Sequence, residues 1–290
     1  MAGSCTLNLA PYFPWRVRLP VAKDILEPKK KSKVKEKATE PEKPPKPKET
    51  TAEFIQSIAA LLAVGLFIIT FCLQAFEIPS SSMENTLLIG DHVFVDRVDL
   101  APKTSWIDHL IPYRDPKRGD IIVFLSPSTP GLYVVKRVIG IPGDRIHLQN
   151  KIVYRNGQPL DESKYVQHID SNIIPYRDDF PAVSPDQGTD VTPEWQLTMP
   201  SHMEGGDIVV PPGAVFGMGD NRDVSLDSRY WGFIPRENII GRPMFIYWSF
   251  EEPAGQYQRT AISDRVAYLF HVIFHFFDET RWSRMFRVVH

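Results

Sequence analysis

The chain has 290 residues and a formal net charge of −2. That leaves room for one or two domains plus extra segments, with no global charge to draw it to nucleic acid. Two cysteines, Cys5 and Cys72, argue against a disulfide framework, and Cys72 falls in a very apolar run where it behaves as a small hydrophobe. Twenty-six prolines among many short apolar runs favour a β-rich, loop-rich body over a helical bundle.

Met1 to Ala22 shows no periodicity and no apolar core of a cleavable signal peptide. From Lys23 to Glu53 lysines alternate with glutamates and prolines. Such a stretch cannot bury apolar area and reads as a disordered linker, with contact to anionic headgroups as a secondary role. Phe54 to Phe76 then runs without a charged residue. As a helix it would measure about 35 Å, more than the roughly 30 Å hydrocarbon core of a bilayer. A buried core helix is the weaker alternative, because the run is apolar on all faces. Lysines crowd its N-terminal flank, while Glu77 and Asp91 follow its end. The positive-inside rule then puts the N-terminus in the cytoplasm and everything after Phe76 outside. No small-residue cleavage site follows in a suitable position, so the span reads as a retained single anchor.

Residues 78–250 carry short strand signals at 92–98, 120–125, 132–140, 145–148, 151–154 and 239–250, separated by glycine, proline and asparagine turns. Gln149-Asn150-Lys151 and Asn156-Gly157 look like hairpin tips. Glu162 to Gly206 is polar, with weak strand signals, and reads as a looser inserted excursion. Near the end, VAYLFHVIFHFF (266–277) is followed by Arg281, Arg284 and Arg287. Twelve residues are short for a span, so an interfacial amphipathic helix with its arginines near phosphates competes with packing on the β-body.

Four motifs carry the chemistry. Ser80, Ser81 and Ser82 lie between Pro79 and Met83, a few residues beyond the apolar run. KRGDIIVF (117–124) is explained as a turn leading into a buried strand. In YVVKRVIGIPGDRI (133–146), strand alternation puts Lys136 on one face with Val134 and Val138. A buried lysine there would have a lowered pKa and could act as a neutral base, but the pattern alone favours an edge lysine reaching out to water. GMGDNRDVSLDSRYWG (217–232) is dense in Asp and Arg. Its spacing fails the EF-hand pattern, which leaves a charge-paired turn with Arg222 and Arg229 as partners of the aspartates.

Taken in this order, IPSSSM (78–83), KRGDIIVF (117–124), KRVIGIPGD (136–144) and GDNRDVSLDSR (219–229) resemble the bacterial type I signal peptidase (leader peptidase) family over about residues 55–250. The resemblance reverses the reading of Lys136. It implies Ser82 as nucleophile and Lys136 as general base. It also implies Ser80 as a hydroxyl supporting the oxyanion hole and Ser225 as a serine that hydrogen-bonds and orients the lysine. Met83, Arg137, Asp220, Arg222, Asp227 and Arg229 are implied as supporting residues. Ser81 stands where the family often has glycine. The implied fold is mainly β: an antiparallel catalytic body with an inserted smaller β-subdomain, preceded by one transmembrane helix. The chemistry is that of a Ser/Lys dyad and needs neither metal nor cofactor. Implied substrates are preprotein signal peptides with small side chains at the first and third positions before the cut. The lipid bilayer is a partner, nucleic acid is not, and secretion machinery is left open.

The organisation expected is a cytoplasmic leader (1–53), a transmembrane anchor (54–76), an extracytoplasmic catalytic domain (77–255, with about 149–207 inserted) and an apolar, basic tail (256–290). The best-studied Gram-negative members of that family have two spans before the serine, where one is evident here, and the tail lies beyond the resemblance. Two other readings compete. A self-cleaving regulator of the SOS-repressor type is disfavoured by the span, and a catalytically dead tethered binding module by the intact Ser82 and Lys136.

Overall fold

The computed structural model describes residues 50–100, 113–252, 255, 256, 259 and 261–290. The lysine-rich leader expected as a linker lies outside them. The first described element is α1, Thr51–Phe67. Thr50 caps it: its hydroxyl accepts from the Glu53 N–H at 3.3 Å, while the Glu53 carboxylate takes the Thr50 N–H at 2.8 Å. One π-helical turn, Ile68–Cys72, extends it. The 22 residues from Thr51 to Cys72 contain an 18-residue stretch with a mean hydropathy of 2.3, none of it buried against the protein. At 1.5 Å per residue they measure about 33 Å, enough to cross a bilayer.

The expected end of this span needs correction. Leu73 to Phe76, assigned to the helix from their lack of charge, belong to strand β1 (Leu73–Glu77). β1 pairs antiparallel with β2 (Asp91–Asp96), Leu73 opposite Asp96 and Glu77 opposite His92. Apolar content cannot distinguish a helix tail from a strand that enters a core; the partner strand decides.

Two antiparallel sheets follow. The first adds β3 (Ile121–Leu125), β4 (Tyr133–Gly140), β10 (Ala214–Met218), β11 (Ile234–Pro235) and β12 (Ile239–Ser249), in the order β1-β2-β12-β3-β4-β10-β11. It has a core on both faces. Ile121 and Val123 pack with Ile78, Met83, Leu87, Val93 and Val95, and Ile122 and Phe124 with Val138, Val215 and Ile239. That two-sided burial is why β3 is an unbroken apolar run.

The second sheet has β5 (Arg145–Gln149), β6 (Ile152–Arg155), β7 (Gln158–Pro159), β8 (Met203–Glu204) and β9 (Asp207–Val209), in the order β7-β6-β5-β9-β8. Both expected hairpin tips are present. Asn150-Lys151 and Asn156-Gly157 have positive φ at both central residues, the type I′ requirement. The inserted unit therefore begins at Arg145, four residues before the expected boundary. Residues 160–202 are not loose. Short helices α2 (Pro175–Asp178) and α3 (Pro193–Thr198) seat Tyr176, Phe180, Trp195 and Met199 in a core shared with Ile146, Leu148 and Phe216.

The C-terminal segment divides between the two expected alternatives. After α4 (Ser228–Trp231) and β12, helix α5 (Ile262–His275) carries no buried residue. The chain then turns back. β3 pairs with β12 only at its start, around Ile239 and Gly241. Further along, the edge of β12 is covered by the tail: Ile246 N–H donates to Arg287 O, Phe286 N–H to Ile246 O and Val289 N–H to Met244 O. Arg281 donates to the carbonyls of Ile89 and Phe250, and Arg284 forms a two-pronged pair with buried Asp91 at 3.0 and 2.6 Å. Arg281 and Arg284 are thus committed to protein rather than to lipid phosphates, because an open strand edge and a buried carboxylate both need donors. Only Arg287 keeps an exposed side chain. Arg284→Ala should lower the unfolding free energy of the detergent-solubilised protein by about 2–3 kcal/mol, the range for a hydrogen bond to a charged partner. Urea titration gives the value, and an unchanged midpoint would detach the tail from the body.

Candidate active site

β1 leads through Ile78 and Pro79 into a single 3₁₀ turn, Ser81–Met83, preceded by Ser80 in an extended conformation. Met83 is buried in the core between β2 and β3, so the turn is pinned immediately after Ser82. The carbonyl of Ser82 accepts the Asn221 N–H at 3.1 Å, which fixes the turn from the opposite side. Ser80 Oγ lies 3.4 Å from Ser82 Oγ.

Lys136 sits mid-way along β4, opposite Ile122 of β3. It is only 2% exposed, and its Nζ is 2.6 Å from Ser82 Oγ. Burial drives its pKa down from 10.5 to about 8, opposed by the Asp227 carboxylate and assisted by the Arg229 guanidinium. Burial by itself would raise the Asp227 carboxyl, but its pair with Arg229, the nearby amine of Lys136 and the N–H of Gly219 hold it below the usual carboxylate range. Asp227 also caps α4.

A lattice of buried ion pairs surrounds the two side chains. Arg137 meets Asp220 through two hydrogen bonds, 2.8 and 2.7 Å, and its guanidinium stacks 4.0 Å over the Tyr165 ring. Thr86 donates to the same carboxylate, at the Oδ2 that Arg137 Nη2 also holds. Arg229 grips Asp227 at 2.9 Å through both Nε and Nη2. Arg222 pairs with Glu162, not with an aspartate of its own motif as the sequence suggested. The Nε of Arg222 is spent on the Gly219 carbonyl, Asp220 and Asp227 are already held by Arg137 and Arg229, and Glu162 arrives from the inserted unit. Asp223 takes the N–H groups of Ile169 and Asp170 and a bond from Lys151, which keeps its carboxyl at about 2 despite burial. These aspartates are consumed by arginines and backbone amides, in line with a structural turn.

Ser225 stands apart from its implied role. Its hydroxyl is buried beside Gly219 but makes no hydrogen bond, to Lys136 or to any other described group. Sequence reasoning also passed over Gly219. A Cβ there would lie 2.3 Å from Ser225 Oγ and 2.5 Å from Ser82 O, so only glycine lets the loop come this close to the serine turn. The Gly-Met-Gly-Asp run was the available signal. Glu162, sixty residues from the Arg222 it pairs with, left none.

A mostly apolar groove of about 420 Å³ opens beside Ser82. It is lined by Phe76 to Ser80 on one side and Gly131 to Val135 on the other, with Val123 and Met83 at its base. Chain segments of β-type flank it on both sides, which suits an extended peptide.

The match to a family model described as signal peptidase, peptidase S26, covers residues 51–248. The chain belongs to this family. Its similarity to Signal peptidase I of Pseudomonas fluorescens is 33% identity over 217 residues, 69% of this chain and 74% of the relative. With Signal peptidase I of Helicobacter pylori it shares 30% identity over 280 residues, 81% of this chain and 92% of the other. A probable signal peptidase I-2 of Synechocystis is 31% identical over 220 residues, 74% of this chain and 80% of the relative. This S26 member is accordingly a serine endopeptidase, with its groove and its two facing side chains inside the matched region.

The pKa of Lys136 has a consequence for stability. Its folded value of about 8 lies below the ordinary 10.5, so between those values the unfolded chain binds the extra proton. Folding is penalised by ~3 kcal/mol below pH 8, and the penalty fades as pH rises toward the ordinary value. Lys136→Met removes that penalty and gives up one hydrogen bond worth ~1 kcal/mol. It should therefore stabilise the protein by ~2 kcal/mol at pH 7, with the gain gone by pH 10.5. Urea unfolding at both pH values checks this; a Met variant less stable at pH 7 would contradict a strained amine.

Proposed function

We propose that this S26 peptidase removes signal peptides from preproteins with Ser82 as nucleophile and Lys136 as general base. The observation that carries the reading is the 2.6 Å contact between a buried amine and a buried hydroxyl at the end of an apolar groove. A lysine titrating near 8 is neutral in about one molecule in ten at pH 7, against fewer than about one in a thousand for an exposed lysine. Lys136 takes the Ser82 proton as Oγ attacks the scissile carbonyl. The oxyanion that forms is stabilised by the Ser82 N–H and, 3.4 Å from Ser82 Oγ, the hydroxyl of Ser80. The ammonium then gives its proton to the leaving amine, and the neutral amine activates water to release the acyl group. Asp227 and Arg229 act on this chemistry through Lys136: the first favours its ammonium form, the second its amine form.

Ser82→Ala should abolish cleavage of a synthetic signal-peptide substrate. In the wild type, kcat/KM should rise through an apparent pKa near that of the Lys136 amine, about 8. Asp227→Asn should move that inflection to lower pH, because it removes the charge that holds the proton on. A profile still climbing above pH 10, or full activity in Lys136→Arg, would sink the mechanism, since arginine cannot supply a neutral base at these pH values.

We further propose that α1 anchors the enzyme with the leader in the cytoplasm and the body on the outer face, as the lysine-rich flank directs. In the same reading α5 rests on that outer surface. Leu269, Phe270, Ile273, Phe274 and Phe277 are all more than half exposed, a concentration of apolar side chains that water does not favour. A chain beginning at Leu73 should bind lipid vesicles. Replacing Phe270, Ile273, Phe274 and Phe277 by Ser should weaken that binding at least ~10-fold, given the several kcal/mol of apolar burial lost. Cleavage of a short soluble peptide should be unchanged. Undiminished vesicle binding would remove α5 from the membrane contact.

A further inference from the structure

The other face of α5 is titratable. Tyr268, His271 and His275 recur at spacings of three and four, so they stand on one side of the helix. The Tyr268 hydroxyl donates to Glu252, and the His271 ring meets Phe250 edge-on with centroids 6.1 Å apart. Beyond the helix the chain turns and brings Glu279 back beneath both imidazoles. His271 Nε2 lies 2.8 Å from Glu279 Oε2, and His275 Nδ1 lies 3.7 Å from Glu279 Oε1. One ligand atom from each of the three residues lies within 4.8 Å of the other two. His275 Nδ1 is also 2.9 Å from Asp278 Oδ2.

We propose that His271, His275 and Glu279 form a binding site for a divalent transition-metal ion of the zinc class, remote from Ser82 in role and taking no part in peptide cleavage. Tetrahedral coordination with bonds of about 2.0–2.2 Å sets ligand atoms roughly 3.3 Å apart. The separations of 2.8 and 3.7 Å bracket that value, so small side-chain rotations suffice. Two imidazoles and one carboxylate select zinc, cobalt, nickel or copper over magnesium or calcium, which require mostly oxygen ligands. A water or Asp278 completes the fourth position.

The backbone beneath is already fixed. Glu279 N–H donates to His275 O at 2.9 Å, and Glu279 O accepts the Glu251 N–H at 3.0 Å. A metal here would clamp the last turn of α5 to the point where the tail rejoins β12. A second grouping, Glu77, His92 and Glu252, has a similar spread of ligand atoms. It offers a single imidazole, and Glu252 is occupied by Tyr268 and by a proton shared with Glu77, whose carboxyl is pushed up to about 7 by burial and then by Glu252. It serves as the control.

The test uses the untagged full chain in detergent micelles, stripped with a chelator and titrated with Zn²⁺ by calorimetry, with Co²⁺ as the visible-absorption probe. One equivalent of Zn²⁺ should bind in the presence of excess Mg²⁺, and Co²⁺ should give the intense bands of a four-coordinate site. His271→Gln and His275→Gln should each weaken binding at least ~10-fold, and His92→Gln should leave it unchanged. Peptide cleavage by all three variants should match the wild type, which reports that each is folded. Absence of Zn²⁺ binding, binding that survives both α5 substitutions, or binding lost in His92→Gln would overturn the proposal.

Discussion

In the proposed mechanism Lys136 has to be taken out of water and still be left able to gain and lose a proton. A bare ammonium in that position would be expelled or permanently neutral, and one paired tightly to a carboxylate would stay charged. The surroundings avoid both extremes. The carboxylate that feels the amine, Asp227, is already gripped twice by Arg229, so Lys136 sees a near-neutral pair rather than a free anion. The result is an amine whose pKa rests near 8. The neighbouring ion pairs are best read as service to this setting. Replaced as pairs by apolar residues they would cost little, but breaking one leaves a buried charge at about 3–5 kcal/mol.

The same lattice sets distances. Arg137, next to Lys136 on β4, holds Asp220; the following residue, Asn221, donates its N–H to the carbonyl of Ser82. Thr86, four residues after Ser82, donates to Asp220 from the serine's own side. Lys136 and Ser82 are therefore joined by two short covalent paths meeting at one carboxylate. Asp220→Ala would be expected to loosen the 2.6 Å contact as well as the fold, whereas at Lys136 itself the two effects separate by pH.

Legibility of the sequence followed the range of each interaction. Strands with their own alternation or turn chemistry were readable: β3 from its apolar run, β5 and β6 from Asn150-Lys151 and Asn156-Gly157. Elements whose identity depends on a distant partner were not. Leu73 to Phe76 are as apolar as the helix before them and become a strand only because β2 lies alongside. Arg284 has the look of a lipid-facing cation until Asp91, nearly two hundred residues earlier, is placed beneath it. The motifs named Ser82 and Lys136 as residues to watch, through resemblance more than through pattern, since strand alternation alone left Lys136 as an edge residue. Glu162 carries its meaning only in three dimensions, as the partner of Arg222. Ser225, given an orienting role by resemblance, lies beside the site without a bond to the lysine.

Moving the end of the apolar helix from Phe76 to Cys72 alters how the groove meets its substrate. Nine residues now separate the helix from Ser82, and the first five form a strand that rises about 17 Å along its axis. With α1 in a bilayer, as proposed, β1 would be a riser between bilayer and site rather than the last turn of an anchor. The groove wall that begins at Phe76 is the upper part of that riser. A signal peptide leaving the bilayer in extended form would run alongside β1 and cover a similar distance in a similar number of residues. Strand geometry, equal for enzyme and substrate, then fixes how far beyond the apolar segment the scissile bond must lie. Tilting the body would change that length. In the proposed reading an apolar α5 on the same surface, tied back to β12 by residues 279–289, would give the body a second point of support and resist the tilt.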